Sequence, residues 1–120
     1  PVFMLTPTST PERIQQVGAH ASGFIYYVSL KGVTGSAALN PDDVAQKLEM
    51  IRQYLDIPLA VGFGIKDAES AASVAKVADA VVVGSALVKR IAALAETPEQ
   101  IAPDLSQLMA ELRQGIDKRV

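Results

Sequence analysis

The chain has 120 residues, 49% of them hydrophobic, and its 11 Lys and Arg almost balance its 13 Asp and Glu. That is material for one domain. It lacks the basic excess expected of a nucleic-acid binder, and with no Cys it has no disulfide, thiolate nucleophile or Cys-ligated metal. A single His cannot build a multi-histidine metal site, and no apolar run reaches the ~20 residues that span a bilayer. The expectation is a soluble, cytoplasmic chain with no metal, cofactor, nucleic-acid or membrane partner.

Strand-like and helix-like segments alternate. Residues 2–6, Val-Phe-Met-Leu-Thr, form a short apolar run. Thr10, Pro11 and Glu12 then supply a cap, a first-turn proline and an acid for a helix with Ile14, Val17 and Ala21 on one face. The second strand is read over 23–30. A loop carrying Gly32-Val33-Thr34-Gly35 leads to Asn40-Pro41-Asp42-Asp43, which opens a helix with Val44, Leu48, Ile51 and Leu55 inward. The third strand and its exit are 58–64, and Asp67 caps a helix bearing Ala71, Val74, Ala75 and Ala78. The fourth strand, 79–84, runs straight into a helix from Ser85 with Leu87, Val88, Ile91 and Leu94 inward. Thr97-Pro98-Glu99-Gln100 reads as a capping box for the last helix, with Pro103 in its first turns and Leu105, Leu108, Met109 and Leu112 as its stripe.

The order βαβαβαβαα, with continuous apolar strands, argues for a parallel α/β sheet covered on both faces. An open doubly wound sheet and half of an eight-stranded β/α (TIM) barrel both fit. In either, ligands bind beyond the C-terminal strand ends. Gly62-Phe63-Gly64 and Gly84-Ser85 stand at two successive exits. Glycine lets an anion reach the backbone, a helix start offers N–H groups and a positive dipole end, and Ser85 adds a hydroxyl. Each motif alone is explained by a tight turn; the pair points to phosphate. Gly32 to Gly35 suit a lid with Thr34 as its hydroxyl. One of Tyr26 and Tyr27, not both, faces the site, where it would border an apolar pocket beside Phe63.

The acids point the other way. Glu12, Asp42, Asp43, Asp67 and Glu99 are explained as helix starts, and Asp56 and Asp79 precede strands. None of the 13 stands at a C-terminal strand end, and His20 lies within a helix. No residue is assigned a catalytic role.

The segments 23–29 (Gly-Phe-Ile-Tyr-Tyr-Val-Ser), 32–35 (Gly-Val-Thr-Gly), 62–65 (Gly-Phe-Gly-Ile) and 82–89 (Val-Val-Gly-Ser-Ala-Leu-Val-Lys) resemble, in order and spacing, the α subunit of tryptophan synthase. The resemblance spans nearly the whole chain but matches only the C-terminal half of that family, strands five to eight. It implies half of a (β/α)8 barrel forming one unit over 1–120, and the cleavage of indole-3-glycerol phosphate to indole and glyceraldehyde 3-phosphate. Gly62, Phe63, Gly64, Gly84 and Ser85 would surround the phosphate and glycerol, with Gly35 joining through the lid. Tyr26 and Phe63 would bound the indole, and Thr34 would close over it. In the family, the catalytic Glu and Asp come from the first half of the barrel. Pro1 accordingly reads as a cut just before strand five, and the chain is expected to be inactive alone. The β subunit is the partner that the resemblance implies. The competing expectations are a self-associating half-barrel or phosphate-binding module without turnover, and a flavodoxin-like open sheet holding a nucleotide at a switch in strand order.

Overall fold

The structure, a computed structural model, describes residues 1–29, 41–62, 65 and 67–118. Its elements are β1 (Phe3–Leu5), α1 (Pro11–His20), β2 (Ile25–Val28), α2 (Pro41–Arg52), β3 (Leu59–Gly62), α3 (Ala68–Ala75), β4 (Ala80–Val82), α4 (Ser85–Ala93), a 3-10 turn (Pro98–Gln100) and α5 (Ile101–Asp117). The four strands form one parallel sheet in the order β1-β2-β3-β4. Sequential order leaves no reversal among these strands, so the switch point of a doubly wound sheet is absent. The pattern is that of half a β/α barrel.

Register sorts the strand side chains into two faces. Phe3, Ile25 and Leu59 share a row, as do Leu5, Tyr27, Val61 and Val81. These rows meet Ile14 and Val17 of α1, Val44, Leu48 and Ile51 of α2, Ala71 and Val74 of α3, and Leu108 and Leu112 of α5 in one core. Each fully buried aliphatic side chain there contributes roughly 1.5–3 kcal/mol. Tyr27 belongs to this face. Burial, with Asp43 adding, pushes its hydroxyl up to about 12, so it stays neutral around pH 7.

The opposite face carries Met4, Tyr26, Ala60 and Ala80 in one row and Val28, Gly62 and Val82 in the next. No described helix covers it. Met4, at the start of the first row, is 59% exposed. The expectation of two covered faces is therefore corrected. Continuous apolar strands here have the described helices on one side; on the other, Met4 and Ala80 are exposed, Tyr26, Val28 and Val82 half-buried, and Ala60 and Gly62 buried. The same holds on the flank: Val88, Ile91 and Met109, read as inward from helical spacing, are exposed. Leu87 and Leu94 are half-buried.

Helix starts follow local chemistry. The Thr10 hydroxyl accepts the Arg13 N–H at 3.2 Å. Asp67 and Ser70 form a reciprocal capping box, with the Ser70 N–H donating to Asp67 at 2.8 Å and the Asp67 N–H donating to the Ser70 hydroxyl at 3.2 Å. The expected cap Asn40 lies outside the described residues. The expected box at Thr97 is not made; Thr97 gives no side-chain cap, and a 3-10 turn intervenes before α5. Pro103 supplies the reason. Starting at Ile101 puts it in the first turn, where its missing N–H has no partner to lose. Gly115 lets α5 approach the start of α3, since a Cβ there would lie 2.9 Å from the Ala68 Cβ.

The N-terminal strand ends are clamped by Asp79. Its carboxylate accepts the Leu59 N–H at 2.9 Å and an Arg52 N–H at 3.2 Å, while Arg52 also donates to the Val77 carbonyl at 2.9 Å. The Leu59 N–H, followed by Arg52, holds the Asp79 pKa below its ordinary value. A depressed carboxylate stabilises the fold above its unfolded pKa, and that contribution disappears as the pH falls through the folded one. Asp79→Asn is expected to cost about 1 kcal/mol at neutral pH, a modest figure because the pair is half-exposed. Urea melts across pH check this: the gap between the two proteins should close in acid, below the ordinary value of 3.8.

Candidate functional site

The C-terminal strand ends gather four of the residues singled out from sequence: Tyr26, Gly62, Gly84 and Ser85. Phe63, Gly64, Thr34 and Gly35 lie outside the described residues. β3 and β4 are direct neighbours, with Gly62 opposite Val82, two residues before Gly84. The two glycine exits are thus side by side, on strands about 4.8 Å apart.

Gly62 and Tyr26 are fitted to each other. A Cβ on Gly62 would collide with the Tyr26 hydroxyl and lie 2.9 Å from the ring carbon that bears it. The ring of Tyr26 therefore leans from β2 across the end of β3, on the face opposite the helix-side core. This decides between the adjacent tyrosines: Tyr26 faces the strand-end site, and Tyr27 is in the helix-side core. Gly62 also accepts the Ser29 N–H through its carbonyl at 3.3 Å, which joins the tips of β2 and β3.

Gly84 differs from Gly62. It is exposed, and a Cβ there would meet nothing within 4 Å. Its carbonyl accepts the Leu87 and Val88 N–H groups at 3.0 and 3.1 Å, which starts α4 with only two residues between it and β4. No side chain caps that start. First-turn N–H groups have no acceptor within their own helix, so those of Ser85 and Ala86 stand beyond the end of β4 at the positive end of the dipole. An oxyanion suits this place.

The exit of β1 is tied down. The Thr6 N–H donates to the Ser9 hydroxyl at 2.9 Å, the Ser9 N–H donates to the Thr6 carbonyl at 3.0 Å, and Lys47 reaches the Ser9 carbonyl at 3.5 Å. One lining position was not singled out from sequence. Met4 lies in the same row as Tyr26, on the same face. Its alternation with Leu5 along β1 carried the signal, but only once the facing of β1 was known. Asp79 is at the base of the sheet, and no group of three or more His, Cys, Asp or Glu among the described residues could hold a metal ion. No described helix is long and apolar enough to cross a membrane.

A sequentially ordered parallel sheet with helices on one face and glycine exits at its C-terminal end defines part of a β/α barrel. The model of one protein family, tryptophan synthase alpha chain, matches residues 1–117, and the chain belongs to that family. The tryptophan synthase alpha chain of Thioalkalivibrio sulfidiphilus is 58% identical over 117 residues, and that of Nitrosococcus oceani 56% over 116. These alignments cover 98% and 97% of this chain but 44% and 43% of the relatives, so the chain spans less than half their length. Among solved structures, tryptophan synthase subunit alpha from Legionella pneumophila superposes with a TM-score of 0.82 at 35% identity, over 97% of this chain and 42% of that one. A chain of tryptophan synthase from M. tuberculosis in its aminoacrylate-bound form gives 0.75 at 31% identity, over 96% and 39%.

The fit of Gly62 to Tyr26 is testable by a double-mutant cycle. Gly62→Ala alone should destabilise the fold by about 1–3 kcal/mol. Beside Tyr26→Ala it should cost much less, giving a coupling of about 1 kcal/mol or more in denaturant melts. Simple additivity would show that the ring does not occupy the glycine's space.

Proposed function

We propose that this chain is the phosphate-holding C-terminal half of a tryptophan synthase α subunit, a lyase that cleaves indole-3-glycerol phosphate to indole and glyceraldehyde 3-phosphate in tryptophan biosynthesis. The observation that carries the reading is the adjacency of the β3 and β4 exits, with an uncapped helix starting at the second. The backbone N–H groups of Ser85 and Ala86 hold the phosphate oxygens, and the Ser85 hydroxyl adds a donor. Gly84, and Gly64 by its motif, keep side chains away from the anion, while Gly62 makes room for the Tyr26 ring. Tyr26 and Phe63 flank the indole plane, Met4 extends that wall, and Thr34 and Gly35 belong to the segment that closes over the ligand.

Cleavage of the bond between the indole ring and the glycerol chain needs a proton delivered to the ring carbon. It also needs protons removed from the ring nitrogen and from a glycerol hydroxyl. This reading assigns none of the chain's carboxylates to these steps. The chain therefore binds without turning over, and its reaction requires groups from the remaining portion of a full-length α subunit. The β subunit is the partner of that complete protein, and full-length relatives carry the whole reaction.

Calorimetry with glycerol 3-phosphate, paired with an indole-release assay, tests this reading. The chain alone should bind and release no indole. Gly84→Asp should abolish binding, because it places a carboxylate where the phosphate oxygens sit, and Ser85→Ala should weaken it about 3- to 10-fold, as loss of one hydrogen bond does. Adding the remaining portion of a relative's chain should restore indole release. Turnover by the chain alone, or binding untouched by Gly84→Asp, would overturn the reading.

A further inference from the structure

The helix that presents the Ser85 and Ala86 N–H groups is loosely seated. No residue of α4 is fully buried, and no side chain caps its start. Among the described elements it packs chiefly on α5. Its half-buried large side chains are Leu87 and Leu94, and Arg90 lies between them on the same face, at helical spacing. The Arg90 guanidinium donates from one nitrogen to both carboxylate oxygens of Asp104, at 3.1 and 3.0 Å. On the other side of this pair α5 is firmly anchored. Leu108 and Leu112 are in the core, and Asp104 precedes Leu108 by one turn. Each charge also suits its own helix: Arg90 is in the last turn of α4 and Asp104 in the first turn of α5.

We propose that Arg90 and Asp104 are positioning residues for the anion site: their ion pair clamps the far end of α4 to α5 and so sets where the Ser85 and Ala86 N–H groups point. The inference rests on the phosphate reading and adds what aims the donors. The apolar contacts of Leu87 and Leu94 hold α4 against the body without fixing its direction, because burial is non-directional. A hydrogen-bonded ion pair is directional. Arg90 does not touch the ligand. It lies about 7.5 Å along the helix axis from Ser85, toward the opposite end of the dipole. The two side chains are 44% and 33% exposed, so the effect is modest in size. Its sign is distinctive. If only charge mattered, removing the Asp104 carboxylate would strengthen the hold on an anion. If the clamp matters, removing it weakens that hold.

Titration of the whole chain with inorganic phosphate, followed through amide chemical shifts, tests the clamp. Asp104→Ala and Arg90→Ala should each weaken binding about 2- to 5-fold, and the double variant no more than either alone. Arg90→Lys should keep most of the affinity, since a single nitrogen serves both oxygens. Before any phosphate is added, Asp104→Ala should already move the Ser85 and Ala86 signals, with circular dichroism showing the fold retained. Equal or tighter binding by Asp104→Ala, losses that add in the double variant, or Ser85 and Ala86 signals unmoved in the free protein would overturn the proposal alone. An unaltered chain that binds no phosphate would overturn the phosphate reading, and this proposal with it.

Discussion

One-sided burial is the constraint from which the rest of the structure follows. Leu5, Ile25, Tyr27, Leu59 and Val61 all point into one helix-covered layer. A strand that slipped by one residue would send its set to the other face. That penalty fixes the register, and the register fixes which residues reach the inner face and the strand tips. Tyr26 is turned toward Gly62 because its neighbour Tyr27 is held in the core.

The two ends of the sheet do different work. At the base, Asp79 gathers the start of β3, the end of α2 and the turn into β4 with three hydrogen bonds around one carboxylate and one guanidinium. At the opposite end the chain leaves backbone groups uncommitted: Gly84 has open space around it, and α4 begins without a cap. Side-chain hydrogen bonds close the base around Asp79, whereas the start of α4 has none. This division matches the placement of stability and binding on opposite faces of β/α barrels.

Much of this was legible in the sequence, for identifiable reasons. Thr10 and Asp67 announce helix starts because one side-chain oxygen answers one exposed N–H, a local event. The strand–helix order follows from runs of apolar residues between such signals. Facing was less legible. Period two says that Tyr26 and Tyr27 differ, and only the tertiary contact with Gly62 says which is which. Helical spacing showed that Val88, Ile91 and Met109 share faces with other apolar residues, but spacing carries no information on whether a face has a partner. The Thr97 box failed because Pro103 set a later start for α5, a conflict between two local signals. The paired exits at Gly62 and Gly84 could be recognised as motifs, yet their adjacency depends on β3 and β4 being neighbours in the sheet.

The most direct measurement is an amide chemical-shift map of the chain titrated with inorganic phosphate. The account predicts the largest, saturable shifts at Ser85 and Ala86 and at the exit following Gly62, with α1 and the Asp79 end unmoved. Shifts centred on α1, or none at the start of α4, would contradict it.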